Sequence, residues 1–377
     1  ILSRRAIIFI MMTMEKDEIF VIYGNSPQEM AYKLAQAARL EDLIGDTKKR
    51  VGLKPNLVVA RPAEGGATTH PEIAGGLIQY LQEKGFTNLV ILEGSWVGDS
   101  TRQAFPRCGY SALAKRTGVE LIDTQGDTYT AVDCKGMKIE IANSARAVEF
   151  MINLPVMKGH CQTLITCALK NNKGIMSDRE KRRFHSLGLH KPIAHLNTAA
   201  RNDFIVVDGI CGDLDFEEGG NPIPAGRMFA SRDPVLCDAW TAEQMGYLLS
   251  EIPYIGMAAA LGVGCADIKK ARVRELNSGF DAPAMPKASG KARQFAPAVQ
   301  EDKACSSCYA ALIRALSRMS KNEINRLRGP VCIGQGFRGK TGLVGVGNCT
   351  KDFSGSVPGC PPSAGQIMDF LRSAGTG

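Results

Sequence analysis

Aromatic residues are scarce in this chain, at 6% of 377 positions with only two tryptophans, and no run of basic residues gathers its formal charge of +8 onto one face. A nucleic-acid surface needs clustered cations and stacking rings, so that class is excluded. The positive balance suits anionic substrates or acidic partner proteins instead. Long apolar runs are missing too, and nothing approaches the ~20 residues of a membrane span. The stretch Ala6–Met12 is too short to cross a bilayer and lacks a small-residue cleavage site before MEKDE, which argues against a signal peptide. We read residues 1–13 as an extension ahead of a start near Met14. The expected location is cytoplasmic, with neither a nucleic-acid nor a membrane partner. Internal repeats and low-complexity tracts are absent, and 44% apolar with 22% charged residues describes an ordinary globular protein.

What is present is an alternation of β-rich runs and amphipathic helices between residues 14 and 280. Candidate strands are 19–24, 51–58, 88–95, 119–124, 149–157 and 203–210. Between them, residues 70–85 carry Ile73, Leu77 and Leu81 at helical spacing and end on glycine, and residues 26–40 open with Ser26 and Pro27 as a helix start. This alternation predicts an α/β fold, a mixed or mostly parallel sheet with helices on both faces, whose ligand crevice lies at the C-terminal strand ends.

Residues 281–299, rich in Pro, Ala and basic residues without a periodic apolar face, predict a linker. Residues 300–377 beyond it hold five of the twelve cysteines, a separate small module. With no export signal, these thiols are expected to be reduced and to ligate metal. Cys305 and Cys308 form a CxxC pair, and Cys349 and Cys360 complete a four-thiolate set for tetrahedral zinc or for a [4Fe-4S] cluster. The eleven-residue spacing of the second pair is long for zinc, and the glycines and Pro361-Pro362 around it suit a bulky cluster. Cys332, in PVCIGQG, reads as a strand thiol. The run from Gly334 to Thr341 fits GxxxxGK[ST], but GLVGVG follows where a phosphate loop needs a helix, so it reads as a loop beside the metal site, with Arg338 and Lys340 offsetting charge.

Polar chemistry concentrates at 153–197, which carries four of the five histidines. Lys158 and His160 follow an apolar strand, and CQTLITCALKNN is expected to be a helix ending at Lys170, Asn171 and Lys173. If the strand ends point one way, Lys54, Asn56, His70, Glu93 and Asp208 join them in the crevice. We assign Lys158, His160 and Lys54 as catalytic candidates and Asn56, His70, Glu93, Lys170, Asn171, Lys173 and Asp208 as substrate-binding candidates. His185, His190 and His195 recur every five residues, which does not place three imidazoles on one helical face for a metal. REKRR at 179–183 reads as a solvated basic loop or a dock for an acidic electron donor.

Two resemblances follow from these residues. VPGCPP around Cys360 resembles the cluster-binding segment of complex I and hydrogenase small subunits, which implies [4Fe-4S] ligation by Cys360. GLKPNLV, THPE, LEGS, PVMKGH, ALKNNKG, DGI and SRDPVLCDA, across residues 50–245, resemble the domain-of-unknown-function 362 family, whose members are often described as iron–sulfur proteins. The combined expectation is a [4Fe-4S] oxidoreductase acting on a small anionic substrate. The alternatives are a non-catalytic electron-transfer or scaffold protein and a cluster-dependent lyase or dehydratase.

Overall fold

The computed structural model describes residues 13–278, 280, 284–285, 287–327 and 329–374. Residues 1–12 of the expected extension lie outside the described residues, as do 281–283 and 286 of the expected linker. Sixteen strands occur among the described residues: β1 Glu18–Tyr23, β2 Val51–Pro55, β3 Leu89–Glu93, β4 Glu120–Asp123, β5 Tyr129–Asp133, β6 Lys138–Ala142, β7 Phe150–Leu154, β8 Lys158–His160, β9 Leu164–Thr166, β10 Phe204–Gly212, β11 Ile223–Ser231, β12 Arg272–Glu275, β13 Val299–Glu301, β14 Val331–Ile333, β15 Val344–Val346 and β16 Gly355–Val357. Eight of them form the main sheet in the order β12-β1-β11-β10-β7-β2-β3-β4. Only β11 opposes the rest, pairing antiparallel with both β1 and β10.

The two-residue period of the strands builds a core on each face. Along β1, Ile19 and Val21 join one apolar cluster while Phe20 and Ile22 join the other; in β10, Ile205 and Val207 oppose Phe204 and Val206. The first cluster is closed by helices Pro234–Gln244 and Pro253–Ala260, and the second by Pro27–Ala38 and Pro71–Glu83. Strand order reverses direction between β2 and β7, the point where an α/β sheet opens a crevice beyond its C-terminal strand ends.

A third apolar cluster belongs to the C-terminal segment, where Leu312, Ile313, Leu316, Val331, Ile333, Val346, Ile367 and Leu371 pack around the parallel sheet β13-β14-β15-β16. Phe216 and Cys161 of the larger unit enter this cluster, so the two units share a packed seam. Part of the expected linker is structured: Lys291–Phe295 is helical, with Ala292 and Phe295 against the third cluster, and β13 begins at Val299. Pro/Ala-rich composition hides this because the anchoring residues are isolated rather than periodic.

Two segments depart from expectation. The helix expected over 161–172 is only Ala168–Asn171, because Leu164–Thr166 pairs antiparallel with Lys158–His160; Thr163, Ile165 and Thr166 are β-branched and favour that hairpin. The supposed loop REKRR lies in helix Asp178–Ser186, capped by Ser177, whose hydroxyl accepts the Glu180 N–H at 3.1 Å. Among the described residues no helix is long and apolar enough to cross a membrane.

Candidate functional site

A cleft enclosing about 750 Å³, part of it open to solvent, lies beyond the C-terminal ends of β2 and β3 and runs to the cysteine-bearing unit. Of the residues selected from sequence, Asn56, Glu93, Lys170, Asn171 and Lys173 line it. Lys54 stands behind Glu93 and forms a fully buried ion pair with it. Burial acts to lower the Lys54 ammonium and to raise the Glu93 carboxyl, while each charge opposes the shift of the other. Gly174 packs on the same carboxylate, where a Cβ would overlap the Glu93 oxygens and push them from their pairing with Lys54.

Lys170 makes the second buried pair, with Glu217. Burial acts to raise Glu217, but the Lys170 charge beside it overrides this and holds the carboxyl well below its ordinary range. His160 Nδ1 accepts the backbone N–H groups of Gln162 at 3.1 Å and Thr163 at 3.0 Å, which places the ring proton on Nε2. That Nε2 is 2.9 Å from Glu217, yet the N–H is not aimed at the carboxylate and makes no aligned hydrogen bond. Burial, reinforced by Lys170, lowers His160 to about 4, so the ring is neutral at physiological pH.

Lys158, His160, His70 and Asp208 do not line the cleft. The Lys158 ammonium donates to Asn56 Oδ1 at 3.1 Å, to Glu217 O at 3.0 Å and to Ala67 O, so its three protons are all engaged. Burial lowers it to about 7, but its geometry makes it a staple between β8 and the loops beneath the cleft. His70 Nδ1 lies 2.8 Å from Asp208 Oδ2, which also accepts the His70 backbone N–H at 2.9 Å.

Burial alone would lower His70, but the Asp208 charge outweighs it and raises the imidazole to about 11. Because the folded value exceeds the unfolded one of ~6.5, the pair stabilises fully below that pH and its contribution disappears as pH rises through the folded value. His70→Gln is therefore expected to lose most stability near pH 6 and to converge on the wild type in alkaline solution, read from denaturant midpoints. A gap that stays constant with pH would contradict this assignment.

Three cleft residues were not anticipated as such. Glu217 pairs with Lys170, Lys181 donates to Ser95 O at 2.6 Å and Gly94 O at 3.2 Å, and His185 lies 3.5 Å from Lys173 through Nε2 with its buried Nδ1 unpartnered. Lys181 and His185 are four residues apart on one helical face, a signal that was available once the segment is read as a helix. Burial first, and then the neighbouring Lys170 charge, lower Lys173 to about 7.

The four expected ligand cysteines converge on one cavity next to the cleft. Cys305 caps the twelve-residue helix Ser306–Ser317 and Cys308 lies in its first turn, so the positive end of the helix faces the sulfurs. Cys349 and Cys360 follow β15 and β16, beyond the C-terminal ends of that small parallel sheet. No three of these sulfurs lie within 4.8 Å of one another. A single zinc ion would hold them about 3.8 Å apart, from its 2.3 Å bonds to sulfur. The four thiols are thus more widely spread here than around a single bound zinc ion. Gly347 adopts φ +88°, a conformation that favours glycine, and lies beside Cys308, whose Sγ is 3.8 Å from where a Cβ would sit. Burial, and then the sulfurs of Cys360 and Cys349, raise the Cys305 thiol, while the nearby Cys349 sulfur raises the Arg338 guanidinium. Cys332 points elsewhere, toward Gln300 Oε1 at 3.4 Å. The segment from Gly334 enters a 3₁₀ turn at Gln335–Phe337 and then β15, without the helix of a phosphate loop.

A mostly parallel α/β sheet with a charged cleft at its strand-order reversal defines the class. Residues 51–243 match the family model described as domain of unknown function (DUF362), and the chain belongs to that family. It is 24% identical over 225 residues to the thylakoid-associated protein sll1697 of Synechocystis sp., covering 57% of this chain and 68% of that protein. Among solved structures, it is similar to the lactate racemase apoprotein from Thermoanaerobacterium thermosaccharolyticum, at TM-score 0.41 and 13% identity over 64% of this chain and 60% of that one. A Thermotoga maritima protein is similar at TM-score 0.35 and 16% identity, over 54% of this chain and 55% of its own length. The chain thus spans less than two thirds of both.

Proposed function

We propose that Cys305, Cys308, Cys349 and Cys360 hold a [4Fe-4S] cluster, and that the chain is an iron–sulfur oxidoreductase whose adjoining cleft binds a small anionic substrate. One observation carries this reading: Cys305 and Cys360 line both the cysteine cavity and the cleft. A ligand in the cleft therefore sits against the ligand set itself. Such a cluster supplies or accepts single electrons, and four cysteinates leave no iron position open for Lewis-acid chemistry. The chain's own residues bind and orient: Lys173 offers an ammonium to the ligand, while the Lys170–Glu217 and Lys54–Glu93 pairs fix the walls. Arg182 lines both cavities and, with Arg179 likewise exposed on the same helix, gives an acidic electron donor a basic approach.

An oxygen-free preparation with iron and sulfide quantified, followed by Mössbauer spectroscopy, tests the proposal. About four irons and four sulfides per chain are expected, with a paired diamagnetic signal in the oxidised state. A colourless protein holding zinc or no metal overturns it. The carrier alternative is separated by Lys173→Gln, which an electron carrier tolerates and an enzyme using this cleft does not.

A further inference from the structure

The cleft has two chemical characters, and together they describe the ligand. Its cations are in part already matched: Lys170 by Glu217, Lys54 by Glu93, and Lys181 by Asp178 at 3.3 Å and two backbone carbonyls. Lys173 differs. Its ammonium has no Asp or Glu oxygen within 4.0 Å among the described residues, and its recorded polar neighbour is the His185 ring. An ammonium without a carboxylate partner suits a carboxylate head group, and the other lining cation without one among the described residues, Arg182, is shared with the cysteine cavity.

Part of the cleft lining is apolar. Val58, Trp96 and Val97 form it, and Val58 and Trp96 pack with Val59 and Ala67 in a small cluster separate from all three structural cores. An indole that remains half-exposed at the cleft, in a chain with only two tryptophans, is surface that folding did not consume. The loop carrying it passes beside Cys360, since the Cβ position of Gly98 lies 3.6 Å from both Cys360 O and Pro361 Cδ. The apolar lining and the ligand set are thus parts of one enclosure.

We infer that the ligand of this cleft is a monocarboxylic acid with a flat apolar body, of the aryl or alkenyl class, whose carboxylate meets Lys173 and whose body lies against Trp96. This rests on the reading of the cleft as the substrate site and narrows that substrate to a chemical class. Small hydrophilic acids and phosphate esters are disfavoured, since they would leave the indole wall in contact with water or with charge.

Isothermal titration of the full chain, purified without oxygen, compares four probes: cinnamate, cinnamamide, acetate and inorganic phosphate. Cinnamate is expected to bind at least about tenfold more tightly than each of the other three, which lack the charge, the body or both. Trp96→Ala and Lys173→Gln should each weaken cinnamate about tenfold, while Trp96→Phe keeps binding within about threefold and guards against a folding defect. The inference is overturned if acetate or phosphate matches cinnamate, if the neutral amide binds as well as the acid, or if cinnamate does not bind. Iron and sulfide are assayed on the same sample, so a failed cluster and a failed ligand class are read separately.

Discussion

Replacing Lys54 with methionine while Glu93 remains is expected to cost about 3–5 kcal/mol of folding stability, the range for a buried ion pair left with one charge. The carboxylate cannot escape to water. It is 3% exposed, with Gly174 packed against it and β3 fixed between β2 and β4. Lys181 is too heavily committed to replace the lost partner, since Gly94 O, Ser95 O and Asp178 already take its protons. Glu93→Leu should be damaging in the reciprocal sense, stranding a fully buried ammonium whose remaining acceptor is Pro55 O at 3.2 Å. The double variant Lys54→Met/Glu93→Leu should recover most of the loss, because two apolar groups of similar volume need no counterion.

The pH dependence gives this prediction a second, independent readout. In Lys54→Met, burial continues to raise the Glu93 carboxyl with its main opposing charge removed. A folded value above the unfolded one means that the penalty is largest at neutral pH and shrinks as acid protonates the carboxyl in the folded protein. Denaturant midpoints of variant and wild type should therefore draw together as pH falls through the folded value toward the unfolded one of ~4.3. Equal stability of the single variants and the wild type at neutral pH would show that the pair carries no stabilising charge.

The main sheet was legible because its strands are short apolar runs ended by turn residues: β2, β3, β4 and β7 fall within the expected segments, and β1 and β10 overlap theirs. β11 was not legible. Pro224, Gly226 and Arg227 interrupt its pattern, and only its place between β1 and β10 makes it a strand. The same distinction separates the site residues. Lys54, Asn56, Glu93, Lys170 and Asn171 stand at or near element ends, where topology predicts a crevice, and the structure does gather them around the cleft. Lys158 shares that placement but is consumed by three oxygen acceptors, which no spacing rule reveals. Glu217 lies in an irregular loop after β10, over forty residues from Lys170, so its role depends on a long-range contact alone. The joining of the cleft to the cysteine cavity was equally hidden, because it depends on how two separately cored units pack at Phe216 and Cys161.

Alanine at Cys305, Cys308, Cys349 or Cys360 is expected to remove most of the iron and the visible absorption, whereas Cys332→Ala should retain both in full. The five thiols share one small unit, and Cys332 is partly buried like Cys305, Cys308 and Cys349 while Cys360 is exposed, so exposure does not set Cys332 apart. Direction does. Cys305 and Cys308 project from the start of one helix, Cys349 and Cys360 from loops beyond adjacent parallel strands, and all four face one cavity. Cys332 lies within β14 and turns to Gln300 across the sheet. Losing one of four thiolates removes a bond that neighbouring groups cannot replace, since the cavity otherwise offers Arg182, Arg338, Gln335 and Asn348, none with a sulfur donor. Gly347→Ala should lower iron content to a lesser degree, as it forces a side chain into a φ of +88° beside Cys308 without touching a ligand atom. Iron per chain, measured across the six variants under oxygen-free conditions, distinguishes the four-cysteine set from any set that includes Cys332: if Cys332→Ala bleaches the protein as fully as Cys349→Ala, the ligand assignment is wrong.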